Sequence, residues 1–397
     1  MVLSNTSLRA EGDTIHSPKT RISWIDEFKG FVLLLVCLFH IEQTFPNAHL
    51  GMWHLSALRM SAFFFISGFL FSTKRFSNFK SYFVHKTKVL LNPYLFLSFL
   101  FFAIDPVVYK FALYPKSPTM MVVNTIPDIN NTWQYIYWNF AKIFIAGKSS
   151  VGAGPLWFVF TLYSVSLIFY FLHEMSKKQI NPTVFITVMS IEGLLCGWLL
   201  NINHMHLPLG IERDLTILFF FGFGWLCKEP IKKLHSAISA SSTRATKNTA
   251  IVAAVGIISF VAYGFLESPS PNFSIMNNDL GKSLFQFVAS SITGIVGLIA
   301  TFLLASKLPN MAPIRITKGI LRNISRNALV ILAVHWWIVF VLQLFLRPQI
   351  NQPGIAYIAI PIVALGTIAA IPLFRCRLYK LLSKERITVK ESLCIRE

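Results

Sequence analysis

Long apolar runs alternate with short charged ones along the chain. Ten of the runs reach the ~17–25 residues a helix needs to cross a bilayer. They fall near 26–45, 52–72, 90–112, 154–173, 183–201, 211–227, 249–266, 283–306, 326–346 and 354–374. The run at 211–227 is the weakest, because Glu212, Arg213 and Asp214 crowd its start. A further stretch, WQYIYWNFAKIFIAG at 133–147, is shorter and aromatic-rich. Trp and Tyr favour the headgroup level, so it reads as an interfacial or re-entrant helix. The expectation is an all-α integral membrane protein with about ten transmembrane helices.

The charged intervals fix an orientation. With the N-terminus on the cytoplasmic side, 28 of the 36 Lys and Arg residues fall on cytoplasmic segments. The other eight are Arg59, Lys110, Lys116, Lys142, Lys148, Arg213, Lys282 and Arg347. That asymmetry follows the positive-inside rule and requires an even number of crossings. Both termini are then cytoplasmic. No Gly/Ser-rich linker or internal repeat divides the chain. The reading is one transmembrane domain over 1–376 and a basic cytoplasmic tail over 377–397, lying on the anionic leaflet.

Composition agrees with this pattern. The chain is 54% hydrophobic and only 13% charged, with 37 Phe among 397 residues. A soluble domain carries about 25% charge. The net charge of +19 is that of cytoplasmic loops, not of a nucleic-acid reader, since no reader motif accompanies it. The N-terminus is polar as far as Ser23, so the first apolar run serves as insertion signal and helix together. Five cysteines show neither zinc nor disulfide spacing, and no metal is expected. The sequon matches at Asn5 and Asn130 carry no weight.

Chemistry concentrates in the first run, DEFKGFVLLLVCLFH at 26–40. Lys29 and His40 are eleven residues apart, which is three helical turns plus about 20°. They share one face, separated by about 16 Å along the axis. Such spacing suits a ligand with an anionic end and a reactive end, as coenzyme A has. The blander reading is a snorkelling lysine and a packed histidine. The second run, RMSAFFFISGFLF, places Arg59 within the membrane and Ser67-Gly68 where a helix can approach closely. Lys86 and Lys88 precede the third run, where they can hold phosphates or merely obey topology. Glu192 and His335 lie near mid-membrane and need partners there.

Taken together, the stretches WIDEFKGFVLLLVCLFH (24–40), RMSAFFFISGFLF (59–71), NPYLF (92–96), GPLWFVFTLY (154–163), FFFGFGWLCK (219–228) and ISRNALVILAVH (324–335) resemble integral-membrane acyltransferase family three. These are the sugar O-acyltransferases of bacterial envelopes. The resemblance spans about three-quarters of the chain, and the first two stretches carry most of its specificity. It implies that His40 is the catalytic histidine, as general base or acyl relay, preceded by a basic residue that many members have as Arg and this chain has as Lys29. It implies donor binding by Lys29, Lys86 and Lys88, with acyl-CoA (most often acetyl-CoA) as the donor. It also implies a sugar or polysaccharide acceptor and a bacterial inner-membrane location. Arg59 and His335 are candidates for contacting substrate or a developing oxyanion.

The chain departs from the family in three places. Lys29 keeps the charge but not the bidentate fork of Arg. A paired Arg-x-x-Arg falls on Lys86 and Val89, with Lys88 as the nearest replacement cation. Ser61 stands where many members have Pro. Two other readings stay open at this stage: a transporter or flippase of a sugar-linked substrate, and a regulatory protein that keeps the fold without catalysis. The oligomeric state is not legible.

Overall fold

A computed structural model describes residues 22–382 apart from 46, 48, 111–131, 148–150, 268–272, 310, 347–350 and 353. The tail from 383 onward, Cys394 included, lies outside the described residues, as do both sequons. Among the described residues the chain is helical, with no β-sheet. The helices are α1 (Ser23–Thr44), α2 (Ser56–Phe69), α3 (Phe79–Lys86), α4 (Asn92–Lys110), α5 (Thr132–Ile145), α6 (Trp157–Ser176) and α7 (Pro182–Ile202). They continue as α8 (Ile211–Leu226), α9 (Lys228–Ser239), α10 (Thr243–Glu267), α11 (Leu284–Ala305), α12 (Ala312–Arg326), α13 (Ala328–Phe345) and α14 (Ile355–Leu382).

Each of the ten apolar runs falls on a helix over its described residues. Six described helices are long and apolar enough to cross a bilayer, and a seventh crossing counts if the bent pair α12–α13 is one span. Three runs of the expected ten do not reach that standard, each for a visible reason. Helices α2 and α8 have only 14 and 16 residues. Helix α1 carries Asp26, Glu27, Lys29 and Glu42. These three are interior helices, with α2 buried along nearly its whole length. Inside a bundle, neighbouring helices rather than lipid satisfy polar groups, so a lipid-based length standard does not govern them. The peripheral helices show the reverse. Only 22% of the apolar window of α10 and 28% of that of α7 are buried.

Contacts sort the helix ends onto two sides. Trp24 of α1 meets Phe69 of α2 and His235 of α9. Lys228 donates to the Phe71 carbonyl, and Phe71 packs on His173 at the end of α6. This side holds Lys74, Arg75, Lys177, Lys228 and Arg322 and is called the basic end. At the opposite end Tyr263 of α10 donates to the His54 carbonyl. There Asn278 joins Thr216 of α8 to the Gly197 carbonyl of α7. The basic end thus gathers the starts of α1 and α9 and the ends of α2 and α6.

Local sequence explains the irregular turns. Pro93 has no N–H and its ring presses on the carbonyl four residues back. The turn before it, Thr87–Leu91, widens to π geometry. Asn181 and Ser283 cap α7 and α11 by accepting from Val184 and Gln286 backbone N–H groups. Ser61 lies inside α2, buried. Its hydroxyl bonds back to the Ala57 and Leu58 carbonyls. Helix α14 runs to Leu382, past residue 376, the boundary expected for the tail.

Glycine sets the closest helix contacts. A side chain on Gly68 of α2 would collide with the Phe221 carbonyl of α8, and one on Gly224 of α8 with the Phe65 carbonyl of α2. The contact is reciprocal, backbone against backbone. Gly30 of α1 plays the same part against the Leu321 carbonyl of α12. Helices α12 and α13 meet at an angle of 89°. Asn327 occupies the corner and donates from its amide to the Asn323 carbonyl.

Either Gly68→Ala or Gly224→Ala is expected to force α2 and α8 apart and cost about 1–3 kcal/mol, as overpacking does. Gly264→Ala, whose added methyl would meet nothing within 4 Å, is the control. Thermal unfolding in detergent reads the difference.

Candidate active site

The site grows from the C-terminal half of α1. His40 and Lys29 share a face of this helix, as their spacing requires. His335, on α13, is 295 residues away in sequence. Its Nε2 lies 2.8 Å from His40 Nδ1. The two rings are nearly parallel, 4° apart, with centroids 5.0 Å apart. Trp336 packs on His40 at 4.6 Å and Phe39 at 5.6 Å. His335 is fully buried, whereas His40 keeps partial exposure.

One carbonyl orders the protons in this pair. His335 Nδ1 lies 2.6 Å from the Ile331 carbonyl, which can only accept. Nδ1 of His335 therefore carries the hydrogen. In the neutral ring Nε2 is then an acceptor, and His40 Nδ1 donates to it. That leaves His40 with an unprotonated Nε2, the form a general base requires. Ile331 sits one helical turn before His335, so α13 supplies both the histidine and the group that sets its tautomer.

Beside the histidines, Arg59 of α2 is 6% exposed and lies 3.8 Å from the centre of the Phe39 ring. It donates to the Met52 carbonyl. Glu42, Tyr263 and Glu267 face it electrostatically. Glu42 holds the loop that carries Met52. Its carboxylate accepts from the backbone N–H groups of Leu50, Gly51 and Met52 at 2.8, 2.9 and 2.7 Å. Three amides converging on one carboxylate form an anion nest. Gly51, at φ +74°, supplies the left-handed turn that lets them converge.

The other predicted residues lie elsewhere. Lys86 ends α3, half-buried, with its ammonium 5.4 Å from the centre of the Tyr82 ring. Lys88 and Val89 stand on the π turn and are exposed. Lys88 thus does not share the half-buried setting of Lys86. Glu192 faces outward from α7, among exposed Val188, Ile191 and Leu195. It lines no interior path, contrary to what an intramembrane acid in a transport pathway would do. A groove of about 330 Å³ opens at the basic end, and its lining includes Glu27 but none of Lys29, Lys86, Lys88 or His40.

A second buried polar group was hidden in the weakest run. Glu212, Arg213 and Asp214 are all under 10% exposed. Asp214 accepts from Ser164, and Arg213 lies 5.1 Å from the centre of the Trp157 ring. Arg213 also reaches the Met276 carbonyl at 3.3 Å. In the GPLWF stretch Trp157 backs Arg213, and Gly154 lies against the Trp336 indole beside His40.

A family model described as an acyltransferase domain matches residues 22–374. The chain belongs to acyltransferase family 3. This multi-pass acyltransferase thus has the family's domain over the whole bundle that holds the histidine pair. Comparisons with curated proteins and with solved structures give no match. Among the described residues of this acyltransferase, no group of three or more His, Cys, Asp or Glu side chains is placed to hold a metal ion.

Glu42→Ala is expected to free the loop at 50–52 and with it the carbonyl that holds Arg59. Each lost hydrogen bond to the charged carboxylate is worth about 1.5–3 kcal/mol. Limited proteolysis should cut this loop faster in the variant, and the unfolding midpoint should fall.

Proposed function

We propose that this acyltransferase moves a small acyl group, acetyl foremost, from acyl-CoA to a hydroxyl of an envelope sugar or polysaccharide. The observation that carries the reading is the ordered pair His40–His335. His40 Nε2 takes the proton of the acceptor hydroxyl as its oxygen attacks the thioester carbonyl. The imidazolium then gives that proton to the departing thiolate, so a thioester and an alcohol become an ester and a thiol. Throughout, His40 Nδ1 keeps donating to His335, and it becomes a stronger donor once its ring is charged. The role resembles that of the third member of a hydrolase triad, with a neutral ring where the triad has a carboxylate.

Lys29 stands about 16 Å down the same helix face, near the length of an extended pantetheine arm. It binds donor phosphate, with Lys86 as a second cation. Lys88, being exposed, contributes charge at the mouth. Arg59, oriented by Met52 and Phe39, steadies the oxyanion. The basic end is cytoplasmic by its cation excess. The donor enters there, and the acceptor meets His40 nearer the opposite face. Transport is the weaker reading because Glu192 points outward and the family is one of acyl transfer.

Acetyl transfer in membranes, with labelled acetyl-CoA and native envelope polysaccharide, tests the proposal. His40→Ala is expected to lose about 10²–10⁴-fold in rate, the usual worth of a positioned base. His335→Leu should lose activity while the protein remains folded. His335→Gln, which restores an acceptor, should recover part of it. Full activity in a folded His40→Ala would overturn the assignment.

A further inference from the structure

Helix α12 is the one described helix that turns a right angle from its partner span, at 89° to α13. With α13 upright it lies in the membrane plane, at the basic end. Its sequence, APIRITKGILRNISR, divides into three arcs. Leu321 and Ser325 turn inward, where Leu321 meets Gly30 of α1. Lys318 and Arg322 turn toward Glu27, with Arg322 Nε 3.8 Å from its carboxylate. The remaining arc faces away from the protein. It carries Ile316 and Ile320, 59% and 55% exposed, beside exposed Arg315 and Arg326.

An exposed Ile pair one turn apart is unfavourable in water. Two arginines flanking it are unfavourable in hydrocarbon. Both are satisfied at one depth, where acyl chains end and headgroups begin. The groove beside α12 adds a slot for a chain, lined by Phe302, Leu308, Ile314 and Leu321, with Lys318 and Glu27 also in its wall. We propose that α12 is an in-plane interfacial helix that binds an anionic phospholipid. The isoleucines and the groove take acyl chains, and Arg315 and Arg326, about 16 Å apart along the helix, each take a headgroup phosphate. Charge complementarity selects an anionic headgroup over a zwitterionic one. The proposal stands apart from the chemistry at His40.

The test uses full-length protein reconstituted in phosphatidylcholine. Trace spin-labelled phosphatidylglycerol or spin-labelled phosphatidylcholine reports, by electron paramagnetic resonance, the lipid immobilised at the protein surface. Phosphatidylglycerol should be preferred, and 1 M salt should weaken the preference. Arg315→Gln and Arg326→Gln should each lower the relative association constant about five-fold. Arg244→Gln/Lys247→Gln, a pair of exposed cations at the start of α10, is the control and should leave it unchanged. Ile316→Asn/Ile320→Asn should reduce immobilisation of both lipids. Equal loss in the control pair would overturn the proposal, because net charge rather than α12 would then set the preference. Displacement of the label by inorganic phosphate would also overturn it, because the site would then hold a free anion.

Discussion

In hydrocarbon, a polar group finds partners only within the protein. That constraint orders this bundle. The short or charge-bearing helices α1, α2 and α8 occupy the interior, and the longer, more apolar spans α7, α10 and α14 face outward along most of their length. Every interior polar group then needs a neighbour. Arg59 finds a carbonyl and a ring, Glu42 finds three amides, Asp214 finds a serine, and His40 finds His335. The site is what this requirement produces when the neighbour of a histidine is a second histidine with one proton already committed.

Much of the architecture was legible in the chain because hydropathy and charge act one segment at a time. The described parts of the apolar runs became helices, because hydropathy periodicity is a local signal. What could not be read was which helices are interior. A transfer scale scores residues against lipid, and α1, α2 and α8 are solvated mostly by protein. Hence a crossing standard that suits the periphery finds six or seven spans rather than ten.

The site was half legible. His40 stood out because an ionisable residue ending an apolar run is costly, and Lys29 because helix geometry puts it on the same face. His335 stood out for cost alone; its bond to His40 spans 295 residues and has no local signature. Glu42 was missed although it lies two residues after His40. Its partners are backbone amides, which leave no mark on a sequence beyond Gly51. The charges at 212–214 looked like a poor start to a helix, whereas burial against Ser164 and Trp157 makes them an anchor for it. Glu192 misled in the opposite sense, since mid-helix position says nothing of which way a side chain faces.

The corner at Asn327 has a mechanical meaning. Helices α12 and α13 form two arms of a bell crank, one along the membrane plane and one across it. His335 sits about 10 Å up the second arm. A bell crank converts a sideways push on its horizontal arm into a tilt of its vertical one. The imidazole pair depends on the angle held at this corner, because a hydrogen bond weakens steeply with misalignment. Asn327 is the fulcrum, and Gly30, where α12 touches α1, seats the horizontal arm. A lever of two helices thus sets the reach of a proton.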